Sequence, residues 1–304
     1  MSTLIEQAMQ RLERLRGAGV NAPPPAVTER RASNAPAPRA AEPAAAPSSK
    51  LHSIGGQSKS ITLNVEAMVQ ARVFPPGTGP TEQASQFRVI KRPLIKNVVD
   101  AAGTGLRRSN LIMVTSALAG EGKSFTAANL AMSMVTELDH TVLLVDADVA
   151  RPSLARMLGF EPQQGLLDVL DGHVGLQDVL LSTNIDKLTI LPSGAPRPRA
   201  TELLASDAMQ ALLEEMASRY PDRIIIFDSP PLLLTTEASV LASQMGQIVM
   251  VVKADSTPQA AVQRSLSGIA THPARFVVLN QVNRKILSGS GYGYGYGYGS
   301  AGAT

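Results

Sequence analysis

Apolar and polar positions divide the chain into stretches of different character. In residues 2–17, Leu4, Ala8, Leu12 and Leu15 recur at helical spacing, with Ile5 and Met9 beside them and Ser2 placed to cap. That pattern predicts a short amphipathic helix. From Asn21 to Ser49, 17 of 29 residues are Ala or Pro. Such a composition cannot build a packed core and favours extended, polyproline-like linker, assigned here to residues 18–59. An amphipathic helix tethered beyond a linker suits docking on another molecule. The folded domain is expected over residues 60–285, followed by a flexible tail, 286–304.

Within the folded stretch, the spacing predicts a helix over Ile61–Ala71, ended by Phe74-Pro75-Pro76-Gly77. A second helical stretch, Thr81–Asp100, is expected to be interrupted at Pro93, because the residue before a proline disfavours the α region. It carries Arg88, Lys91, Arg92 and Lys96 against few acids, which reads either as a solvated face or as an interaction surface. From Asn110 the pattern changes. Apolar runs at Leu111–Thr115, Thr141–Val145, Leu188–Leu191, Arg223–Phe227, Gln247–Val252 and Arg275–Leu279 read as strands. Between them lie helical periods such as Ser124–Leu138 and Glu202–Arg219. Short apolar strands alternating with helices predict an α/β fold, a mostly parallel, doubly wound sheet covered on both faces.

The first of these strands runs into Ala117-Leu118-Ala119-Gly120-Glu121-Gly122-Lys123-Ser124, with a helix after it. Strand, glycine-containing loop, Gly-Lys-Ser and helix form the context of a phosphate-binding P-loop, although Ala117 stands where the general pattern has Gly. Backbone N–H groups of the loop and the helix N-terminus favour phosphate oxygens. Gly120, Glu121, Gly122, Lys123, Ser124 and Phe125 are therefore the candidate nucleotide-binding residues. Lys123 reaches the β/γ oxygens, and the Ser124 hydroxyl is a Mg²⁺ ligand. Two more strands end in acids: Asp146-Ala147-Asp148 and Asp228-Ser229-Pro230-Pro231. The C-terminal ends of parallel strands share one edge, where ligands bind, so three carboxylates are expected beside the P-loop. Asp148 and Asp228 are candidate metal residues with Ser124. Lys123, Asp146 and Asp148 are the candidate catalytic set, and the sequence does not separate the roles of the last two.

Composition narrows the chemistry. The 304 residues include no Cys, which excludes thiolate metal sites, disulfides and Cys nucleophiles, and agrees with a cytoplasmic location. A net charge of +3 is too small to imply a nucleic-acid partner. No run approaches the roughly 20 apolar residues of a membrane span, so membrane association is expected only through a partner. Residues 291–299 alternate Gly and Tyr. That repeat holds Tyr292, Tyr294, Tyr296 and Tyr298, four of the five tyrosines in the chain.

These motifs resemble the Walker A, A′ and B motifs of the bacterial tyrosine kinases, the polysaccharide-assembly branch of the deviant Walker ATPases. The similarity covers residues 60–285, and in its tyrosine tail the chain is most similar to soluble autokinases of exosortase and exopolysaccharide loci. The resemblance implies transfer of phosphate from ATP, with Mg²⁺, to the tail tyrosines, in trans within a homo-oligomer. It also implies a membrane chain-length-determinant (co-polymerase) adaptor that recruits the protein to the inner membrane face, and a tyrosine phosphatase. Two positions depart from the family pattern. The basic residue of the A′ motif stands at Arg151 rather than at 150, and the oligomerisation pattern reads Ser85-x-x-Arg88-x-x-Lys91. Two other readings stand beside the kinase. One is a MinD/ParA-like positioning ATPase, which carries a lysine where this P-loop has Leu118. The other is a non-kinase, ATP-gated assembly subunit with an adhesive Gly-Tyr tail.

Overall fold

The computed structural model describes residues 59–283, apart from 80, 162, 163 and 221. The expected N-terminal helix, residues 18–58 of the linker and the four tail tyrosines lie outside the described residues, and Lys59, read as the end of the linker, is instead in a strand. Among the described residues there are eight strands: β1 (Lys59–Ile61), β2 (Leu111–Ser116), β3 (Thr141–Asp146), β4 (Leu181–Thr183), β5 (Leu188–Leu191), β6 (Arg223–Asp228), β7 (Gln247–Lys253) and β8 (Arg275–Asn280). The main helices are α1 (Val65–Gln70), α2 (Glu82–Val99), α3 (Lys123–Met134), α4 (Asp207–Arg219), α5 (Thr236–Gln244) and α6 (Gln259–Gly268). The strands form one sheet in the order β1-β4-β5-β3-β6-β2-β7-β8, parallel except for the antiparallel β4–β5 pair.

Strict alternation along the central strands distributes the core between the two faces. Leu111, Met113, Leu143, Val145, Ile225 and Phe227 face Met209, Leu213 and Met216 of α4 and Leu241 of α5. Ile112, Val114, Val142, Leu144, Ile224 and Ile226 face Phe87 and Leu94 of α2 and Leu130 and Met134 of α3. Both faces of β2, β3 and β6 are thus dry, which is why these strands read as continuous apolar runs rather than as half-polar ones. Helix starts are set by short polar side chains. Asn64 accepts from the N–H groups of Glu66 and Ala67, Thr81 from Ala84, Ser206 from Met209 and Thr235 from Ala238.

The structure corrects several expectations. The stretch read as one helix from Ile61 begins as strand β1, and the helix starts only after the Asn64 cap. The Glu202–Arg219 helix is two, because Ser206 caps a new start after the short helix Ala200–Leu203. Helix α2 is not interrupted at Pro93. Pro93 is exposed, so its ring lies on the solvent side, while Phe87, Lys91 and Leu94 on the buried side hold the helix through it.

Lys91 itself departs most from the sequence reading. Rather than joining a solvated basic face, it is 2% exposed. Its ammonium pairs with Glu137 at 2.7 Å and donates to the Ser133 carbonyl at 2.5 Å and the Thr136 hydroxyl at 3.0 Å. It therefore bolts α2 to the C-terminal end of α3. Lys91→Ala is expected to cost about 2–3 kcal/mol by leaving these acceptors unpaired, read as a lower midpoint in urea unfolding. Arg88→Ala, on the exposed side, should leave the midpoint unchanged. Equal midpoints for the two variants would refute the assigned role of Lys91.

Candidate nucleotide and phosphoryl-transfer site

The site is built where β2, β3 and β6 end. Ser116 closes β2, and the P-loop follows between it and Lys123, the first residue of α3. The loop is clamped from below by the chain leaving β6. Leu232 and Leu233 donate their N–H groups to the carbonyls of Ser116 and Ala117, and the Thr115 hydroxyl donates to the Pro230 carbonyl at 2.7 Å. Gly120 and Gly122 have φ of +81° and +95°, a region that disfavours residues with a Cβ. At Gly122 a Cβ would also lie 2.0 Å from Asn280 Nδ2. The backbone conformation therefore favours glycine there, and a Cβ would also have to displace the Asn280 amide.

Lys123 is the centre of the charge arrangement. Its ammonium lies 2.6 Å from Asp148 and 3.3 Å from Asp228, and 3.2 Å from the Ser124 hydroxyl. Burial pushes the lysine pKa down, but Asp228 and Asp148 outweigh it and hold the group above its ordinary value. Asp228 is completely buried, and that burial raises its pKa against the opposing pull of Lys123. Asp146 pairs in register with Asp228 across β3 and β6, and the Ala147 N–H donates to the Asp228 carbonyl. The Asp146 carboxyl is pushed up to about 8, first by burial and then by the charge of Asp228, with the Leu154 N–H and Lys123 opposing.

All three sequence-predicted carboxylates thus sit at one sheet edge, two of them on Lys123 and the third beside them. Each plays a distinct part. Asp146 also serves as a cap: its Oδ2 accepts from the Ser153 and Leu154 N–H groups at the start of the short helix Leu154–Leu158. Its Oδ1 is buried without a partner, as is Oδ2 of Asp228. A buried carboxylate oxygen without a donor costs free energy, and a bound cation or proton donor relieves that cost. The residues present therefore fit a Mg²⁺–nucleotide. Among the described residues no cluster of three or more His, Asp or Glu forms a metal cage.

Two candidate nucleotide residues contribute otherwise than by their side chains. The Glu121 carboxylate turns into the protein, accepting from the Leu118 N–H at 2.7 Å and from the Thr257 hydroxyl, so only its backbone faces the loop's task. The Phe125 ring packs edge-on against Phe87 of α2, with ring centroids 6.1 Å apart. Sequence reasoning missed Thr257 and Asn280, whose Nδ2 donates to the Glu121 carbonyl at 2.9 Å. Neither belongs to a motif; Thr257 lies in the turn after β7 and Asn280 at the end of β8, both more than 130 residues from Glu121. Asn280 ends β8, so the last strand ends next to the P-loop. Tyr220, the tyrosine outside the tail, lies under the Arg223 guanidinium at 4.6 Å.

Comparison with known proteins places this geometry in a family. The sequence model of the ParA family, described as NUBPL iron-transfer P-loop NTPase, matches residues 107–272. The match carries the P-loop NTPase fold. Tyrosine-protein kinase YwqD of Bacillus subtilis (strain 168) is 32% identical over 188 residues, 62% of this chain and 76% of that protein. Tyrosine-protein kinase CpsD of Streptococcus agalactiae is 28% identical, over 59% of this chain and 79% of CpsD. The match to tyrosine-protein kinase wzc of Salmonella typhi, 29% identical, spans 59% of this chain and about a quarter (25%) of wzc. Among solved structures, the VpsO kinase domain superposes with a TM-score of 0.55 at 26% identity, covering 66% of this chain and 97% of that domain. The kinase domain of Escherichia coli tyrosine kinase ETK gives a TM-score of 0.50 at 26% identity, over 62% and 72%. The chain belongs to the ParA-like P-loop NTPases and, within them, to the bacterial tyrosine-protein kinases.

Proposed function

We propose that the protein is an ATP-dependent protein-tyrosine autokinase whose acceptors are Tyr292, Tyr294, Tyr296 and Tyr298. The observation that carries this reading is the buried Lys123 held between Asp148 and Asp228, with the free Oδ1 of Asp146 beside them. Phosphoryl transfer asks a protein mainly to position reactants and neutralise charge, and these groups do both. The P-loop amides and the start of α3 bind the phosphates, and Lys123 moves from its carboxylates toward the transferring group. Ser124, Asp148 and Asp228 would hold Mg²⁺, which supplies further charge neutralisation at the phosphate oxygens. Asp146 orients the phenol and accepts its proton at Oδ1 as the phenolic oxygen bonds to phosphorus. The bridging P–O bond breaks at the same centre, and ADP carries away its electron pair.

Mass spectrometry of the purified chain after incubation with ATP and Mg²⁺ tests the reading. Replacing the four tail tyrosines by Phe is expected to remove most of the phosphotyrosine while leaving nucleotide affinity within about twofold. Phosphotyrosine persisting at Tyr220 in that variant would refute the tail as acceptor. The kinship to kinases such as wzc supports a cellular role in regulating exopolysaccharide chain length or export. In that role residues 1–17, beyond their linker, would dock on a membrane adaptor, a phosphatase would reverse the modification, and copies of the chain would phosphorylate one another. No helix among the described residues is long and apolar enough to cross a membrane. Leu118 in place of the positioning ATPases' lysine favours the kinase reading over that class.

A further inference from the structure

The stretch from Gly120 to Gly122 is the part of the P-loop with the least restraint of its own. Both glycines have positive φ, and a glycine adopts either sign of φ about equally readily. At Gly122 the Glu121–Gly122 peptide plane is therefore free to turn over. Its orientation matters, because C=O and N–H point in opposite directions across a planar trans peptide. One orientation offers an N–H donor to a phosphate oxygen, and the other offers a carbonyl, which repels it.

Asn280 selects between the two. Its Nδ2 donates to the Glu121 carbonyl at 2.9 Å. Its Oδ1 accepts the Gln281 N–H at 2.9 Å, which fixes the way the side-chain amide faces. Its backbone carbonyl accepts from Ala254, just past the end of β7, at 2.9 Å. Thr257 holds the same loop residue by its side chain. The Glu121 carboxylate is 3% exposed, with Oε2 on the Leu118 N–H at 2.7 Å and Oε1 on the Thr257 hydroxyl. Thr257 Oγ1 accepts from the Lys253 N–H at 3.1 Å, so its own proton is left for the carboxylate. A buried carboxylate in a loop suited to polyanions is unfavourable on charge alone. Turned inward and bonded at both oxygens, it acts instead as a strut between the loop and the turn after β7.

We infer that Asn280 and Thr257 are positioning residues of the P-loop: acting through Glu121, they keep the Gly122 N–H directed at the nucleotide phosphates. The inference rests on the nucleotide reading of the site given above and deepens it. Neither side chain has to touch the ligand. A loop held in its binding conformation beforehand binds more tightly than one that the ligand must order, because ordering a backbone costs conformational entropy. Losing a hold weakens phosphate binding in the ground state and the transition state alike, which raises KM and leaves kcat in place.

The test uses the full chain with two probes, ADP and inorganic pyrophosphate. Asn280→Ala is expected to raise the Kd of both by the same factor, about tenfold. The KM for ATP in phosphotyrosine formation should rise with them, while kcat stays within about threefold. Thr257→Val should raise both Kd values about fivefold, and Thr257→Ser, which restores the hydroxyl, should bring them back to within about twofold of the parent. A loss confined to ADP would make Asn280 a contact of the nucleoside rather than a support of the loop, and would overturn the inference. Parent-like Kd values in Asn280→Ala, or equal values in Thr257→Val and Thr257→Ser, would overturn it as well. Should Asn280→Ala not fold, the Thr257 pair decides alone. A parent chain that binds neither probe would sink the nucleotide reading and this inference with it.

Discussion

Lys123→Met is expected to lower phosphotyrosine formation by about 10²–10³-fold, the size of effect seen when a preorganised charge partner of a transition state is removed. The lysine is the cation that both buried carboxylates face, so no neighbour replaces it. The substitution should also be felt by the fold. Methionine fills the same space but leaves Asp148 and Asp228 without a counter-charge, and Asp228 is fully buried. Losing one partner of a buried pair costs about 3–5 kcal/mol when the other stays ionised. Here Asp228, whose carboxyl burial already holds above its ordinary value, has an escape, because it can take up a proton. The variant should therefore melt well below the parent at pH 8 and close to it at pH 5. Thermal unfolding at the two pH values, beside phosphotyrosine mass spectrometry, checks both halves. Undiminished autophosphorylation would remove Lys123 from the mechanism; an equal melting deficit at both pH values would remove the carboxyls from the stability argument.

The second large effect is expected at Asp146. In the folded protein its carboxyl titrates at about 8, against an ordinary value of 3.8. Because the folded state holds this proton more tightly than the unfolded chain, the native protein binds more protons between those two values. Its stability must then fall as pH rises through the window from about 4 to about 8. Asp228, also raised, acts in the same direction, whereas Lys123 titrates above the window. In Asp146→Asn the amide oxygen can still accept from Ser153 and Leu154, and no charge has to be buried. The slope of stability against pH should flatten, and the variant should be at least as stable as the parent at pH 8. Its kcat for tyrosine phosphorylation should nonetheless drop by about 10²–10⁴-fold, the range for loss of a general base. Urea unfolding across pH 5–8 and initial rates at saturating ATP measure the two. A variant that keeps its rate would hand proton transfer to another group, and an unchanged slope would show that burial of Asp146 does not govern the pH response.

Both predictions concern groups legible in the sequence, and the reason is physical. The P-loop and the two acidic strand ends are local signals: a buried apolar run, then a turn, then a helix start, each within about ten residues. The parallel sheet follows from the same runs, since strands dry on both faces have no other stable home. Once the sheet is parallel, Lys123, Asp146, Asp148 and Asp228 must share an edge. The two short strands β1 and β4 carried no such signal. Each is three residues long, and each is held by pairing at the sheet margin rather than by its own pattern.

The chain's sequence by itself thus determined the fold class, the P-loop, the acidic strand ends and the identity of the tyrosine repeat, because each depends on neighbours a few positions apart. Tertiary structure alone decided which charges are buried and what they touch. Lys91 carries the same charge as Arg88 and Arg92 on the same helix, yet only its side chain points at Glu137 and the end of α3. Glu121 sits in the P-loop, yet its carboxylate belongs to Leu118 and Thr257. Asp146 commits one oxygen to a helix cap and keeps the other buried without a partner, on the strand position paired with Asp228. A side chain's charge is written in its residue type. Its desolvation and its partners depend on chain segments brought together from far along the sequence, and those decide what the charge does.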